Sequence, residues 1–492
     1  EKTEMSKIHV ALRSNRSFLL PVYFFICRIT MTMNMYCLTI TFCNSHMKRF
    51  VILLLLFLVD PFQMRAESVS VPKSSAVVRA EVVRDSVKRF QEVMIVGVRE
   101  REVPASGVLM DAKTLEKLNQ PDISKVMRLL PGVNVRDEEG FGLRPNIGLR
   151  GTSVYRCSKI TVMEDGILSS PAPYSDPESY YFPTFARMEG VEVLKGSSQI
   201  EYGPFTVGGA INMISTSIPD SFKGFAEVGY GSFATQKQRL WVGDSKNNVD
   251  YVFDVLRMSS TGFKELDNGG NTGFDRRDIM GKIRLHTSEG AAVEQTLTLK
   301  FLQVAELGNE SYLGLTYEDY LVNPLRRYAA TQKDLFNLTN TQIALTHSID
   351  PLAGLTVITT AYQTQTYREW GRVNSIAGTP VLTIIGDPVR YGTADSIMRG
   401  MADGSLDYRS PARRYTTAGL QSIMEYNLAV GETAHRIRIG VRYHSDESDR
   451  FNTSSNYTMT NKAMIMTSAS AQGNVENQIR SGSATAWFVP YR

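Results

Sequence analysis

Arg436-Ile437-Arg438-Ile439-Gly440-Val441-Arg442-Tyr443 is the stretch on which the fold turns. In a strand successive side chains point to opposite faces. Ile437, Ile439, Val441 and Tyr443 therefore share one face, and Arg436, Arg438 and Arg442 share the other. The same two-residue period recurs upstream. Leu297, Leu299 and Phe301 stand opposite Thr296, Thr298 and Lys300, and Ile283 and Leu285 stand opposite Lys282, Arg284 and His286. Periodicity alone leaves two architectures open. In a soluble sandwich the apolar face is the core, whereas in a membrane barrel it meets lipid and the charged face lines the lumen. After Pro219 such segments repeat about every ten residues between Gly, Asn, Asp and Ser clusters, with no convincing helix.

An export signal favours the barrel. Met47-Lys48-Arg49 leads into the apolar run Phe50 to Val59 and on to Arg65-Ala66-Glu67. A basic start, a short apolar core and a small residue at the cut are the marks of a signal peptide over 47–66. A spanning helix needs about 18 apolar residues or more. Residues 1–46, beginning with Glu1, are read as spurious upstream extension and left out of the fold. Residues 67–91 are polar and charged, a flexible lead. Glu92-Val93-Met94-Ile95-Val96-Gly97 is a short β-prone run between charged flanks, suited to strand addition on a partner's sheet edge; an ordinary first strand is the alternative.

From residue 100 to 218 the pattern is that of a small α+β domain. Helices are expected over Asp111 to Leu118 and Ile123 to Leu130, and strands over Lys159 to Glu164 and Gly190 to Leu194. Asp165-Gly166 closes the first of these strands with residues that tolerate positive φ.

Composition narrows function by exclusion. With 492 residues, 42% hydrophobic and 21% charged, and a net charge of +4, neither a disordered chain nor an electrostatic grip on nucleic acid is indicated. Of the four cysteines only Cys157 lies beyond the signal segment, so no internal disulfide and no metal-spaced cluster is expected. No Ser/His/Asp set and no HExxH stands in the sequence, and an enzyme is not expected.

The segments Leu130-Pro131-Gly132-Val133, Asn146-Ile147-Gly148-Leu149-Arg150-Gly151, Val162-Met163-Glu164-Asp165-Gly166-Ile167, Arg187-Met188-Glu189-Gly190-Val191-Glu192-Val193-Leu194-Lys195-Gly196 and Gly208-Gly209-Ala210-Ile211-Asn212, in that order, resemble the plug of TonB-dependent receptors. Ala172-Pro173-Tyr174-Ser175-Asp176-Pro177 and Tyr202-Gly203-Pro204 look most like ferric dicitrate receptors. The resemblance implies a mostly β protein of the bacterial outer membrane, a small α+β plug inside a transmembrane antiparallel barrel. About ten strands fit between Phe222 and Tyr491. Plugged transporters use about 22, so residues 219–492 are expected to be the N-terminal part of a barrel incomplete in this chain.

The resemblance further implies active transport of a ferric siderophore, iron(III) dicitrate first, energised by the TonB-ExbB-ExbD complex. The iron chelate is cargo, and no cofactor or bound metal is expected. A monomer surrounded by lipopolysaccharide is implied. Uptake of another siderophore, haem, cobalamin or an oligosaccharide is the alternative, and a surface β-rich adhesin is one from another class. Glu92, Val93, Met94, Ile95 and Val96 become the TonB box. Arg150 and Arg187 stand where family plugs pair basic groups with acidic barrel residues. A carboxylate-rich chelate calls for arginine forks with hydroxyl donors. Candidates are Tyr174, Ser175, Ser179 and Tyr180 on the plug apex, with Arg368, Arg372, Arg413 and Arg414 on expected outer loops near Trp370 and Tyr415. For these arginines loop solubility or lipopolysaccharide contact is the plain alternative.

Overall fold

The computed structural model describes residues 107–489, apart from 119, 121, 197–198, 200–201, 203–206, 289, 431–432 and 472. The upstream extension, signal peptide, lead and TonB box lie outside the described residues.

The plug is built on a five-stranded sheet of β1 (Val108–Met110), β4 (Thr161–Glu164), β5 (Ile167–Leu168), β6 (Met188–Leu194) and β7 (Ala210–Ser215), in the order β1-β6-β7-β4-β5. A separate hairpin joins β2 (Val133–Arg136) to β3 (Asn146–Leu149). Asp165 and Gly166, at φ 51° and 75°, make the two-residue link from β4 to β5, where a type I′ turn requires positive φ at both positions. Helix α1 (Ala112–Leu118) starts at Asp111, whose Oδ1 accepts from the Thr114 amide at 3.0 Å. Helix α2 (Ile123–Met127) is capped by Asp122, whose carboxylate accepts from Ser124 N at 2.8 Å. It stops short of the expected Leu130 because Pro131 disfavours helical backbone at the residue before it. Ile123, Val126 and Met127 pack with Ile147, Val191, Val193, Ile211 and Met213 in the plug core. Cys157 joins them, a small buried group.

Ten long antiparallel strands follow, each paired with the next in sequence. They are β8 (Lys223–Gly231), β9 (Thr235–Lys246), β10 (Val249–Ser260), β12 (Phe274–His286), β13 (Glu294–Gly308), β15 (Leu335–Leu352), β16 (Leu355–Ile376), β19 (Ala412–Val430), β20 (Thr433–Thr460) and β22 (Glu476–Phe488). Between them lie β11 (Glu265–Leu266), β14 (Arg326–Arg327), β17 (Thr379–Pro380), β18 (Gly404–Ser410) and β21 (Ala463–Ala469). Among the described residues β8 pairs only with β9 and β22 only with β20, so the wall is curved but open. Tight turns such as Ala353-Gly354 close one end, and long connections such as 309–334 and 377–411 emerge from the other. That asymmetry marks the long-loop end as the outer one in barrels of this kind.

Burial settles the ambiguity of the alternating strands. Leu299 is 44% exposed, Ile283 51% and Val441 48%, while Lys300, Arg284 and Arg442 on the opposite face are buried. Leaving one such apolar side chain in water forfeits about 1.5–3 kcal/mol, and the exposed set repeats from strand to strand. A surface of this kind is stable against lipid, and the charged face is the lumen.

The outer connections are more ordered than the sequence suggested. Three short helices, α3 (Tyr317–Val322), α4 (Val381–Gly386) and α5 (Gly392–Met398), correct the expectation of no helix after Pro219. Thr316 caps α3 by accepting from Asp319 N at 3.2 Å. Tyr328, Ile376, Ile384, Ile397, Met398, Leu406 and Met459 form a second core there. Asp334 ties this module to the wall, accepting from Ser311 Oγ at 2.7 Å and from Val373 N at 2.9 Å. Burial pushes its carboxyl up to about 7. A folded-state value above the unfolded one gives stability that is present at low pH and lost as pH rises through 7. The connection 309–334 should therefore be cut faster by protease at pH 8 than at pH 5.5, and Asp334→Asn should abolish the difference. A wild-type cleavage rate that is flat with pH would refute this.

Candidate functional site: the plug and wall interface

Arg187 ends a short 3-10 turn, Phe185–Arg187, that leads into β6 and is wholly buried. Its Nη1 and Nη2 donate to both oxygens of Glu164 on β4, at 2.9 and 2.7 Å, and its Nε donates to Asp278 Oδ2 of the wall at 3.0 Å. Lys300, from the neighbouring wall strand, donates to Glu164 at 2.7 Å and to Asp165 at 2.6 Å. Arg239, paired with Asp254 at 2.8 Å, donates to the Arg187 carbonyl at 3.1 Å. Plug and wall thus interleave their charges in one cluster, so that no member is buried without an opposite partner.

A second contact lies on the far wall, at the plug apex. Asp446 of β20 accepts from the amides of Tyr174 and Ser175, each at 2.9 Å. Inward-facing Gly482 leaves room for them, since a Cβ there would lie 2.8 Å from that of Tyr174. Thr417 donates to the Pro171 carbonyl at 2.6 Å. Asp176 is 5% exposed and receives Arg413 at 3.0 Å, Arg450 at 3.1 Å, the Tyr415 hydroxyl at 3.3 Å and Ser448 Oγ at 3.4 Å.

Beside it is an arginine and aromatic cluster. The Arg368 guanidinium lies 3.8 Å from the Tyr180 ring centre, Arg156 5.0 Å and Arg413 5.9 Å. Arg156 also stacks 4.7 Å from Trp370, which Tyr180, Phe336 and Tyr312 meet edge-on. Arg372 joins through Tyr312, 5.3 Å away.

Of the residues singled out in the sequence, Tyr180, Arg368, Arg372 and Arg413 come together in this cluster, and Tyr174 and Ser175 adjoin it by their backbone amides. Three placements differ. Arg150, at φ 54°, donates to the carbonyls of Val207 and Gly208, so its bonds lie inside the plug and not to the wall. Ser179 is buried with its hydroxyl donated to the Tyr181 carbonyl at 2.8 Å, and is not offered to the lumen. Arg414 follows Arg413 in β19, and strand alternation sends it outward over Phe451. The four arginines also stand on the strands β16 and β19, which at 22 and 19 residues are longer than the roughly 9–11 residues that span a bilayer, and not on loops. Arg156, Arg450 and Asp446 went unremarked in the sequence, and Asp176 stood there only inside the 172–177 motif, without a role. The inward parity of the two wall residues was legible, but their plug partners were not.

A lipid-facing wall around a small α+β plug, joined by buried ion pairs, defines the class as plugged outer-membrane barrels. The chain carries the TonB-dependent receptor plug domain, matched over residues 99–210, and plug and barrel together have the fold of the TonB-dependent receptors. The vitamin B12 transporter BtuB of Vibrio vulnificus (strain YJ016) is 26% identical over 215 residues, 42% of this chain and 33% of that protein. The unliganded ferric citrate transporter FecA is structurally similar at a TM-score of 0.60 and 19% identity, over 79% of this chain and 53% of that one. The siderophore receptor PiuA of Acinetobacter baumannii gives 0.54 and 17% identity, over 78% and 61%. This chain therefore spans about half of the first structure's length and a third of the curated relative's.

Proposed function

We propose that the protein is the receptor of a TonB-energised uptake system and carries a ferric siderophore, iron(III) dicitrate first, across the outer membrane. The observation that carries this reading is the pairing of a lumen-filling plug, held by breakable charge-assisted bonds, with arginines and aromatic rings gathered at its outer apex. A small chelate with several carboxylates meets there the guanidinium groups that suit it. The coupling step is assigned to Glu92–Val96, which would add a strand to a sheet edge of TonB.

The test is uptake of labelled ferric citrate by cells that lack their own receptor and express the full gene. We expect accumulation that needs the proton gradient. Val93→Pro, which removes a backbone donor from the added strand, should abolish it. Uptake of another chelate or of cobalamin by the same gradient-dependent route would move the ligand assignment and leave the receptor class. Uptake of nothing would favour the adhesin.

A further inference from the structure

The Asp176 carboxylate already occupies the kind of seat that an anionic ligand would need. Two guanidinium groups from different wall strands close on its two oxygens, and a phenol and a serine hydroxyl complete the shell. The Nε atoms of Arg413 and Arg450 are buried and without a partner, so these forks are not saturated by one carboxylate. Asp176 reaches this place from the apex turn closed by the bridge between Ala172 and Asp176, and the same turn sends the Tyr174 and Ser175 amides to Asp446. A group that occupied the arginine pair would displace Asp176 and remove that tie between the turn and the wall, while the bonds to Asp446 and Thr417 and the edge-on contact of Tyr174 with His444 stay.

We propose that Asp176 is a built-in competitor for a carboxylate of the transported chelate, and that the exchange of one carboxylate for the other on Arg413 and Arg450 loosens the apex turn when the receptor is loaded. This rests on the ferric chelate reading above. It adds that ligand binding acts on the plug by taking a plug anchor away and not only by adding contacts. An intramolecular competitor lowers apparent affinity by the fraction of time for which it leaves the site free. Its removal should therefore tighten binding, the opposite of what loss of a ligand contact does.

The experiment uses purified full-length receptor in detergent, with ferric citrate as probe. Asp176→Asn should bind about tenfold more tightly than wild type, and Arg413→Gln at least tenfold more weakly. Saturating wild type with ferric citrate should speed hydrogen exchange across 172–177. If Asp176→Asn binds no more tightly, or exchange at 172–177 is unchanged or slowed on saturation, the exchange mechanism is overturned while the uptake reading stands. If neither wild type nor Asp176→Asn binds ferric citrate, the ligand class fails and this inference fails with it. Because exchange is measured on the unmutated protein, a variant that folds poorly does not leave the question open.

Discussion

Arg187→Ala should loosen the plug's hold on the wall at β12 and β13, with the largest loss of stability of any single change named, while the ties through Asp446, Thr417 and Asp176 remain. The guanidinium makes three charge-assisted bonds, and its removal leaves Glu164 with Lys300 alone and takes from Asp278 the bond from Arg187 Nε, among side chains that are all buried. Breaking one side of a buried ion network costs about 3–5 kcal/mol, a large part of the roughly 5–15 kcal/mol that holds an ordinary domain folded. Two readouts follow in the full receptor. The melting transition should fall, and cells should become permeable to antibiotics too large for the ordinary pores. Arg187→Lys should be intermediate, since a lysine keeps the charge but not the bidentate fork. Unchanged melting and an unchanged seal in Arg187→Ala would show that the plug is anchored elsewhere.

How far this site could be read in advance depended on whether its parts were local. The barrel was legible because alternation is local: Ile437, Ile439 and Val441 opposite Arg436, Arg438 and Arg442 needed only a count of two. The ten long strands agree with that count. Which face met lipid was not in the alternation at all and came from the exposure of Leu299 beside buried Lys300. The same rule, applied strictly, separates Arg413 from Arg414, which cannot both face the lumen from one strand. Thr316 and Asp319 likewise form a local N-cap signature that marks α3.

The pairings that make the interface were beyond such reading. Arg187 and Asp278 are 91 residues apart, and Asp176 and Arg450 are 274 apart. No periodicity states which inward carboxylate of a plug meets which inward cation of a wall. Arg150 shows the complement of this. Its position in the plug motif suggested a partner on the wall, yet a positive φ turned the side chain back to the carbonyls at 207 and 208. A motif fixes the place of a backbone, and one dihedral decides where its side chain goes.

Leu299→Arg is the change that tests the lumen and lipid assignment most directly, because Lys300 beside it is already a cation on the other face. In β13, Leu297, Leu299 and Phe301 form one row of the exposed band, and Lys300 points in to Glu164 and Asp165. Arginine on the lipid face of a barrel costs about 2–4 kcal/mol at the bilayer midplane and falls toward zero at the interfaces. On the water-facing surface of a soluble protein the same change stays within about 0.5 kcal/mol. The full receptor in lipid vesicles, titrated with urea, separates the two. A midpoint lowered by the equivalent of 2 kcal/mol or more puts this face in lipid, and a midpoint equal to wild type puts it in water. Lys300→Leu completes the comparison. It adds apolar area to the strand but strips Glu164 and Asp165 of a shared cation, so it too should destabilise. Two neighbours, one losing stability by gaining a charge and the other by losing one, are what a wall between lipid and a charged lumen requires.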